Sequence, residues 1–400
     1  MAERTRNAGK RIQVNSSTTQ TQKLRMPRKR YGEVDLPFFL IVMTLLVMGI
    51  VMMFSASYAT AVDSGLPGSF YATKQMKMAA LGLVAMFVLS YIDYHKYAKA
   101  WIAIGAYIAS VVLLVMVLVM GTAEKGAKRW LVIGPINFQP SEIVKFAIII
   151  TFSYFITKQY NRMQKFSVGI VPFMTMLGII AMLMMMEPHL SGTVLICIIG
   201  VTLMFVGGVK FSHLFGTGIV GVVGMVALVF YKIENEGFTY FEKRIQSWRD
   251  PFADVSDATY QTCQSLIAIG SGGLFGLGLG ESRQKYMYLP ETKNDFVFAI
   301  ICEELGFIGA VTVILLFVLF VFRGLYIASK APDKFGMLVA VGLTVQIGIQ
   351  AFLNMAVVSN LIPNTGISLP FFSYGGTALV MQLAQMGVLL NISRQAMLES

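Results

Sequence analysis

LPFFLIVMTLLVMGIVMMFSASY, residues 36–58, is an apolar run without a single charged side chain. A hydrocarbon core about 30 Å thick is crossed by about 20 apolar residues in a helix. A signal-peptide core is only about 7–15 residues long, and no convincing small-residue cleavage pattern follows this run. It reads as a retained membrane helix. The rest of the chain repeats it at roughly 76–93, 100–121, 142–157, 168–186, 193–207, 213–231, 296–322, 335–357 and 376–393.

The composition agrees. Of 400 residues, 56% are hydrophobic and 13% charged, with 26 Met and 29 Phe, whereas a soluble domain carries about a quarter charged residues. The fold class that follows is all-α: a polytopic integral membrane protein of about ten transmembrane helices.

Charge sets its orientation. Arg4, Arg6, Lys10, Arg11, Lys23, Arg25, Arg28, Lys29 and Arg30 crowd the start of the chain, among Ser, Thr, Gln and Asn. Residues 1–34 therefore read as a disordered basic cytoplasmic tail, drawn to anionic lipid headgroups rather than to nucleic acid. Residues 35–394 form the membrane domain and 395–400 a cytoplasmic end. With both termini inside, the connections at 94–99, 158–167, 208–212 and 323–334 carry many Lys and Arg and only Asp93 and Asp333 as acids, a cytoplasmic signature.

The outer side receives 59–75, 122–141, 187–192, 232–295 and 358–375. The segment 232–295, between spans 7 and 8, is a large extracellular loop expected to hold one or two interfacial helices. Its GSGGLFGLGLG run lacks the Lys-Ser/Thr and the strand-to-helix context of a nucleotide loop. Close backbone packing is the better reading. The cysteines Cys197, Cys263 and Cys302 are scattered and suggest neither metal nor disulfide.

Chemistry concentrates in four outer stretches. GAKRWLVIGPINFQPSEIVKF, residues 126–146, brings Lys128, Arg129 and Trp130 near Glu142 and Lys145, which share one helix face. A salt-bridged helix start explains the last pair; an anion site explains all the cations together. EPHLSGT, residues 187–193, reads as a tight turn with Ser191 as cap. SNLIPNTGISLPFFSYGGTALV, residues 359–380, is broken backbone at membrane depth, which must be buried or line a cavity; Asn364, Thr365, Ser373 and Tyr374 would face it. In LPETKNDFVFAI, residues 289–300, Asp295 stands where the polar loop, with Glu291, becomes a span. It could cap the helix or serve as a reactive acid, and position alone leaves both open. Lys74 and Lys77 read as snorkelling to headgroups. Glu303 and Glu304, about two turns into the eighth span, need a partner or a wet cavity.

Together, GAKRW with QPSEIVKF, the stretch from YQTCQSLIAIGSGG to CEELG, NTGISLPFFSYGGT and FSASYA resemble the SEDS family (shape, elongation, division and sporulation) from residue 33 onward. FSASYA and the spacing favour its FtsW/SpoVE branch over RodA. The resemblance implies ten helices and a peptidoglycan glycosyltransferase polymerising lipid II at the outer leaflet of the bacterial cell membrane. The family's essential carboxylate maps to Asp295, acting as general base for an inverting transfer. Its other functional groups map to Arg129, Trp130, Glu142 and Lys145. Lys128, Glu291, Asn364, Thr365 and Ser373 complete the expected substrate site. A divalent cation, Mg or Mn, could assist, although no ligand cluster establishes one. Expected partners are lipid II, undecaprenyl diphosphate, a class B penicillin-binding protein as transpeptidase, and other divisome or sporulation membrane proteins. The rival readings are a lipid II flippase, which Glu303 and Glu304 favour, and a scaffold for septal proteins. One departure is that His189 stands where the family often has an acid.

Overall fold

A computed structural model of the chain describes residues 32–124, 127–133, 136–187, 189–219, 221, 224, 239–253 and 259–396. Most of the expected basic tail and the last four residues lie outside the described residues. The helices follow the apolar runs: α1 (Leu36–Asp63), α2 (Phe70–Tyr91), α3 (Ala100–Met120), α4 (Pro140–Gln159), α5 (Val171–Met186), α6 (Leu190–Val206), α7 (Thr239–Arg249), α8 (Tyr260–Ser271), α9 (Val297–Ser329), α10 (Lys334–Val358) and α11 (Gly376–Ala396). Among the described residues, eight are long and apolar enough to cross a membrane: α1 to α5, with the short helical turn Phe166–Gly169 included in α5, and α9 to α11. The expected sixth span is the shorter apolar helix α6. The expected seventh is helical at 211–219 and otherwise falls largely outside the described residues.

Burial sorts these helices into a centre and a ring. In α4, α10 and α11, 72%, 67% and 67% of the apolar window is buried, against 22–39% in the other five. The ring turns side chains such as Phe87, Trp101, Val119 and Phe322 outward, where lipid is the solvent. Lipid tails are as apolar as Leu, so packing and interhelical hydrogen bonds must hold the centre together. Gln346 of α10 donates to Gln385 Oε1 of α11 at 2.9 Å. Asn391 of α11 donates to Ser90 O and accepts from Tyr94 N, each at 2.9 Å. Asp35 caps α1 through Phe38 N and takes the guanidinium fork of Arg323, fastening α1 to α9.

Two features exceed a plain bundle. The segment 122–141, expected as a loop, forms a three-stranded antiparallel sheet in the order β1 (Thr122–Glu124), β2 (Ala127–Ile133), β3 (Ile136–Phe138). Its run Trp-Leu-Val-Ile favours extended backbone. The sheet places Arg129 and Trp130 on β2, with Trp130 opposite Thr122.

The second feature is a break in α9 at Gly306, where φ is 65° and ψ is −164°. The glycine-rich loop seals it. Leu277 N and Gly278 N donate to Glu303 O and Glu304 O at 2.9 and 3.0 Å, while Gly273 O and Leu274 O accept from Phe307 N and Ile308 N. A Cβ on Gly306 would lie 2.2 Å from Gly276 N, so backbone meets backbone with no room for a side chain. Close packing, not phosphate binding, is the use of this loop.

Candidate functional site

The loop 289–296 is folded by Glu291, whose φ is 60°. Its carbonyl accepts from Asn294 N and Phe296 N, and its carboxylate accepts from Asn294 Nδ2 at 2.7 Å. Three successive carbonyls of the loop are then held from outside it. Lys293 O accepts from Tyr374 N at 2.7 Å. Asn294 O accepts from Ser373 Oγ at 2.5 Å, and Asp295 O from Asn354 Nδ2 at 2.7 Å. A loop pinned at three consecutive residues is a rigid platform.

Asp295 stands at its end, partly exposed. The N-cap of α9 is Phe296, with no side-chain capping bond, one residue beyond the acid. The Asp295 carboxylate lies against Gly366. A Cβ there would meet Asp295 Oδ2 at 3.3 Å, and φ of +68° is a conformation that L side chains rarely adopt. The broken segment thus approaches the carboxylate with bare backbone.

On α4, Glu142 and Lys145 are buried and paired, Nζ to Oε1 at 2.8 Å. Lys145 also donates to Gln350 Oε1 at 2.9 Å, and Gln350 donates on to Ser368 O and Oγ. The sequence had these two as substrate contacts or as a salt bridge; the structure forms the bridge. Glu142 Oε2 keeps no partner among the described residues. In the turn between α5 and α6, burial pushes the Glu187 carboxyl up to about 8, against the opposing pull of Arg129. Burial, then Arg129 and Lys145, hold His189 down at about 3. Arg129, Lys145, Glu187 and His189 therefore share one electrostatic neighbourhood, with Glu187 Oε1 and His189 Nδ1 buried and unpartnered among the described residues.

Other expectations shift. Ser191 does not cap α6, whose N-cap is His189 with no side-chain bond; its hydroxyl donates to Thr365 O at 2.8 Å. Ser373, expected to face a cavity, is buried and spent on Leu369 N and Asn294 O. Asn364 bonds Gln261 and Gly366 N, and its carbonyl accepts from Arg244 of α7. Both serve the scaffold because broken backbone must satisfy its polar groups internally. The side chain of Lys128 lies outside the described residues. Thr365 Oγ1 is buried without a partner among them.

Glu303 and Glu304 find their partners in the loop. Glu303 accepts from Ser282 Oγ and from Arg283 N and Gln284 N. Glu304 accepts from Ser55 Oγ at 2.6 Å and from Lys285 Nζ at 3.0 Å. Lys285, Gln350 and Asn354 were missed in the sequence. The amides had a signal: Gln346, Gln350 and Asn354 recur every fourth residue within an apolar span, where a polar stripe must face protein. Lys285 had none, since its partner is brought to it by the fold.

Among the described residues, no group of three or more His, Cys, Asp or Glu side chains could hold a metal ion.

Comparison with known proteins places this geometry. The family model for FtsW, RodA and SpoVE, described as cell cycle proteins, matches residues 36–398. The chain is 40% identical to stage V sporulation protein E of Bacillus subtilis over 365 residues, 90% of this chain and 97% of that one. It is 37% identical to a probable peptidoglycan glycosyltransferase FtsW of Geobacter sp., covering 91% and 98%. A chain from a peptidoglycan synthase complex coordinating polymerization and crosslinking has the same fold, with TM-score 0.74, 24% identity, and 91% and 98% coverage.

Proposed function

The chain belongs to the FtsW/RodA/SpoVE family of cell cycle proteins, and from that premise we propose that it is a peptidoglycan glycosyltransferase polymerising lipid II. The apolar body suits a polyprenyl diphosphate donor, and the site gathers polar groups at one end of the helices. In the proposed step, the GlcNAc 4-hydroxyl of one molecule attacks the anomeric carbon of the lipid-linked MurNAc of another. The new C–O bond forms as the bond to diphosphate breaks, with inversion. Asp295 accepts the hydroxyl proton, a role that contributes about 10²–10⁴ in rate. The leaving diphosphate needs charge stabilisation more than a proton. Arg129 and Lys145, the cations that share the Glu187 and His189 neighbourhood, would supply it.

One observation carries this reading: a partly exposed carboxylate on a pinned loop, set against a bare glycine. The flippase reading loses support, because Glu303 and Glu304 are buried and bonded to Ser282, Arg283, Gln284 and Lys285 of the loop and to Ser55 of α1. The site faces the extracytoplasmic side in this proposal. Cross-linking then falls to a partner transpeptidase, a class B penicillin-binding protein.

The test is glycan synthesis from lipid II by purified protein. Asp295→Asn should keep its thermal transition and lipid II binding while losing polymerisation by at least about 10². Unimpaired polymer formation would remove Asp295 from the chemistry.

A further inference from the structure

The three amides of α10 do different work. Gln346 knits α10 to α11, and Gln350 links Lys145 to Ser368. Asn354, fully buried, spends both hydrogens of one nitrogen on backbone carbonyls: Asp295 O at 2.7 Å and Ile367 O at 2.6 Å. Both neighbours are acceptors only, so the chemistry fixes which end of the amide faces them. Its own oxygen has no partner among the described residues. A buried amide left half satisfied is costly, and an apolar residue would pack there without that cost. What an apolar residue could not do is hold these two carbonyls together.

Their identity gives the arrangement meaning. One carbonyl belongs to Asp295 itself. The other belongs to the residue after Gly366, the glycine against which the Asp295 carboxylate lies. Tyr374 and Ser373 hold the preceding two residues of the loop, but Asn354 reaches the base and the backbone opposite it with a single atom. It therefore sets the width of the gap across which the carboxylate is aimed.

We propose that Asn354 is a positioning residue, which orients Asp295 by clamping the Asp295 and Ile367 carbonyls and does not touch substrate. This rests on the reading of Asp295 as general base. Reaction rates are steep in such alignment: a displacement of about 1 Å can cost about 10²-fold.

The experiment uses the full chain in detergent with lipid II. Asn354→Leu keeps the side chain's approximate shape and removes both donors. It should lower kcat by about 10²-fold while KM and the thermal transition stay near those of the wild type. In an Asp295→Asn background it should lower the residual rate no further, because the group it aims is gone. Two results overturn the proposal: a wild-type kcat in Asn354→Leu while Asp295→Asn is inactive, or an equal loss in both backgrounds. Should the leucine variant not fold, the isosteric Asn354→Asp takes its place under the same criteria. Failure of both to fold assigns Asn354 to the scaffold and also overturns the proposal. Full activity in Asp295→Asn alone would instead topple the base reading, so the two failures are distinguishable.

Discussion

Two stretches of broken backbone meet the loop that carries Asp295, and they are sealed in opposite ways. At Gly306 the gap in α9 is closed by backbone on backbone, and the buried carboxylates of Glu303 and Glu304 accept from donors of the loop and from Ser55. At 359–375 the sealing is done by side chains: Gln350, Asn354, Ser373 and Gln382, which accepts from Phe371 N. The first seal leaves a buried plug, in which Glu304 Oε2 keeps no partner among the described residues. The second leaves a partly exposed acid beside buried, unpartnered polar atoms of Glu187, His189 and Thr365. Side-chain seals can be aimed, and that is why chemistry is expected at the second break and not the first.

The sharpest way to break this comparison is to attack the plug. Lys285 Nζ serves Glu304 Oε1, Ser55 Oγ and Gly280 O, with both ion-pair side chains almost wholly buried. Removing one partner of a buried pair typically costs about 3–5 kcal/mol, whereas replacing both can be neutral. Lys285→Met should therefore lose its folded state or much of its thermal stability in detergent. Lys285→Met with Glu304→Gln should regain it, with polymerisation per folded molecule near that of the wild type. A stable single variant, or a stable but inactive double variant, would end the claim that this region is only a plug.

The second seal should respond through activity first. Gly366→Ala forces a left-handed conformation on an L residue, which costs about 1–2 kcal/mol. It also sets a methyl 3.3 Å from Asp295 Oδ2. We expect a modest fall in the thermal transition and at least a tenfold loss of glycan synthesis (about 1.4 kcal/mol in barrier). A variant that loses stability without losing rate would separate Gly366 from the carboxylate.

The contrast also explains what the sequence could and could not disclose. The helices were legible because a run such as 36–58 has one stable form in lipid, and the glycine loop was legible as backbone packing. Asp295 was legible as a position, while its place against Gly366 depended on how the segment at 359–375 folds back on it. The bonds of Ser373 and Asn364 to the broken segment were not legible, because a polar residue there can face a cavity or repair the break, and only the partners tell which. The sheet at 122–138 was missed because two of its strands are only three residues long.

The smallest expected effect lies at the edge of the second region and is read by pH. Glu187 titrates at about 8 in the folded protein and near the ordinary 4.5 when unfolded. Between these values the folded state holds a proton that the unfolded state has released, so stability falls as pH rises through that window. His189 acts at lower pH. Held near 3 when folded, against an ordinary 6.5, it lowers stability as pH falls through that interval, because only the unfolded state takes up the proton. Glu187→Gln keeps a neutral, hydrogen-bonding side chain in the turn and removes the first dependence. Thermal transitions followed from about pH 5 to pH 9 should decline less steeply in Glu187→Gln than in the wild type, with the gap widening toward pH 8. Parallel curves would mean that Glu187 is ionised in the folded protein, with its charge compensated by Arg129.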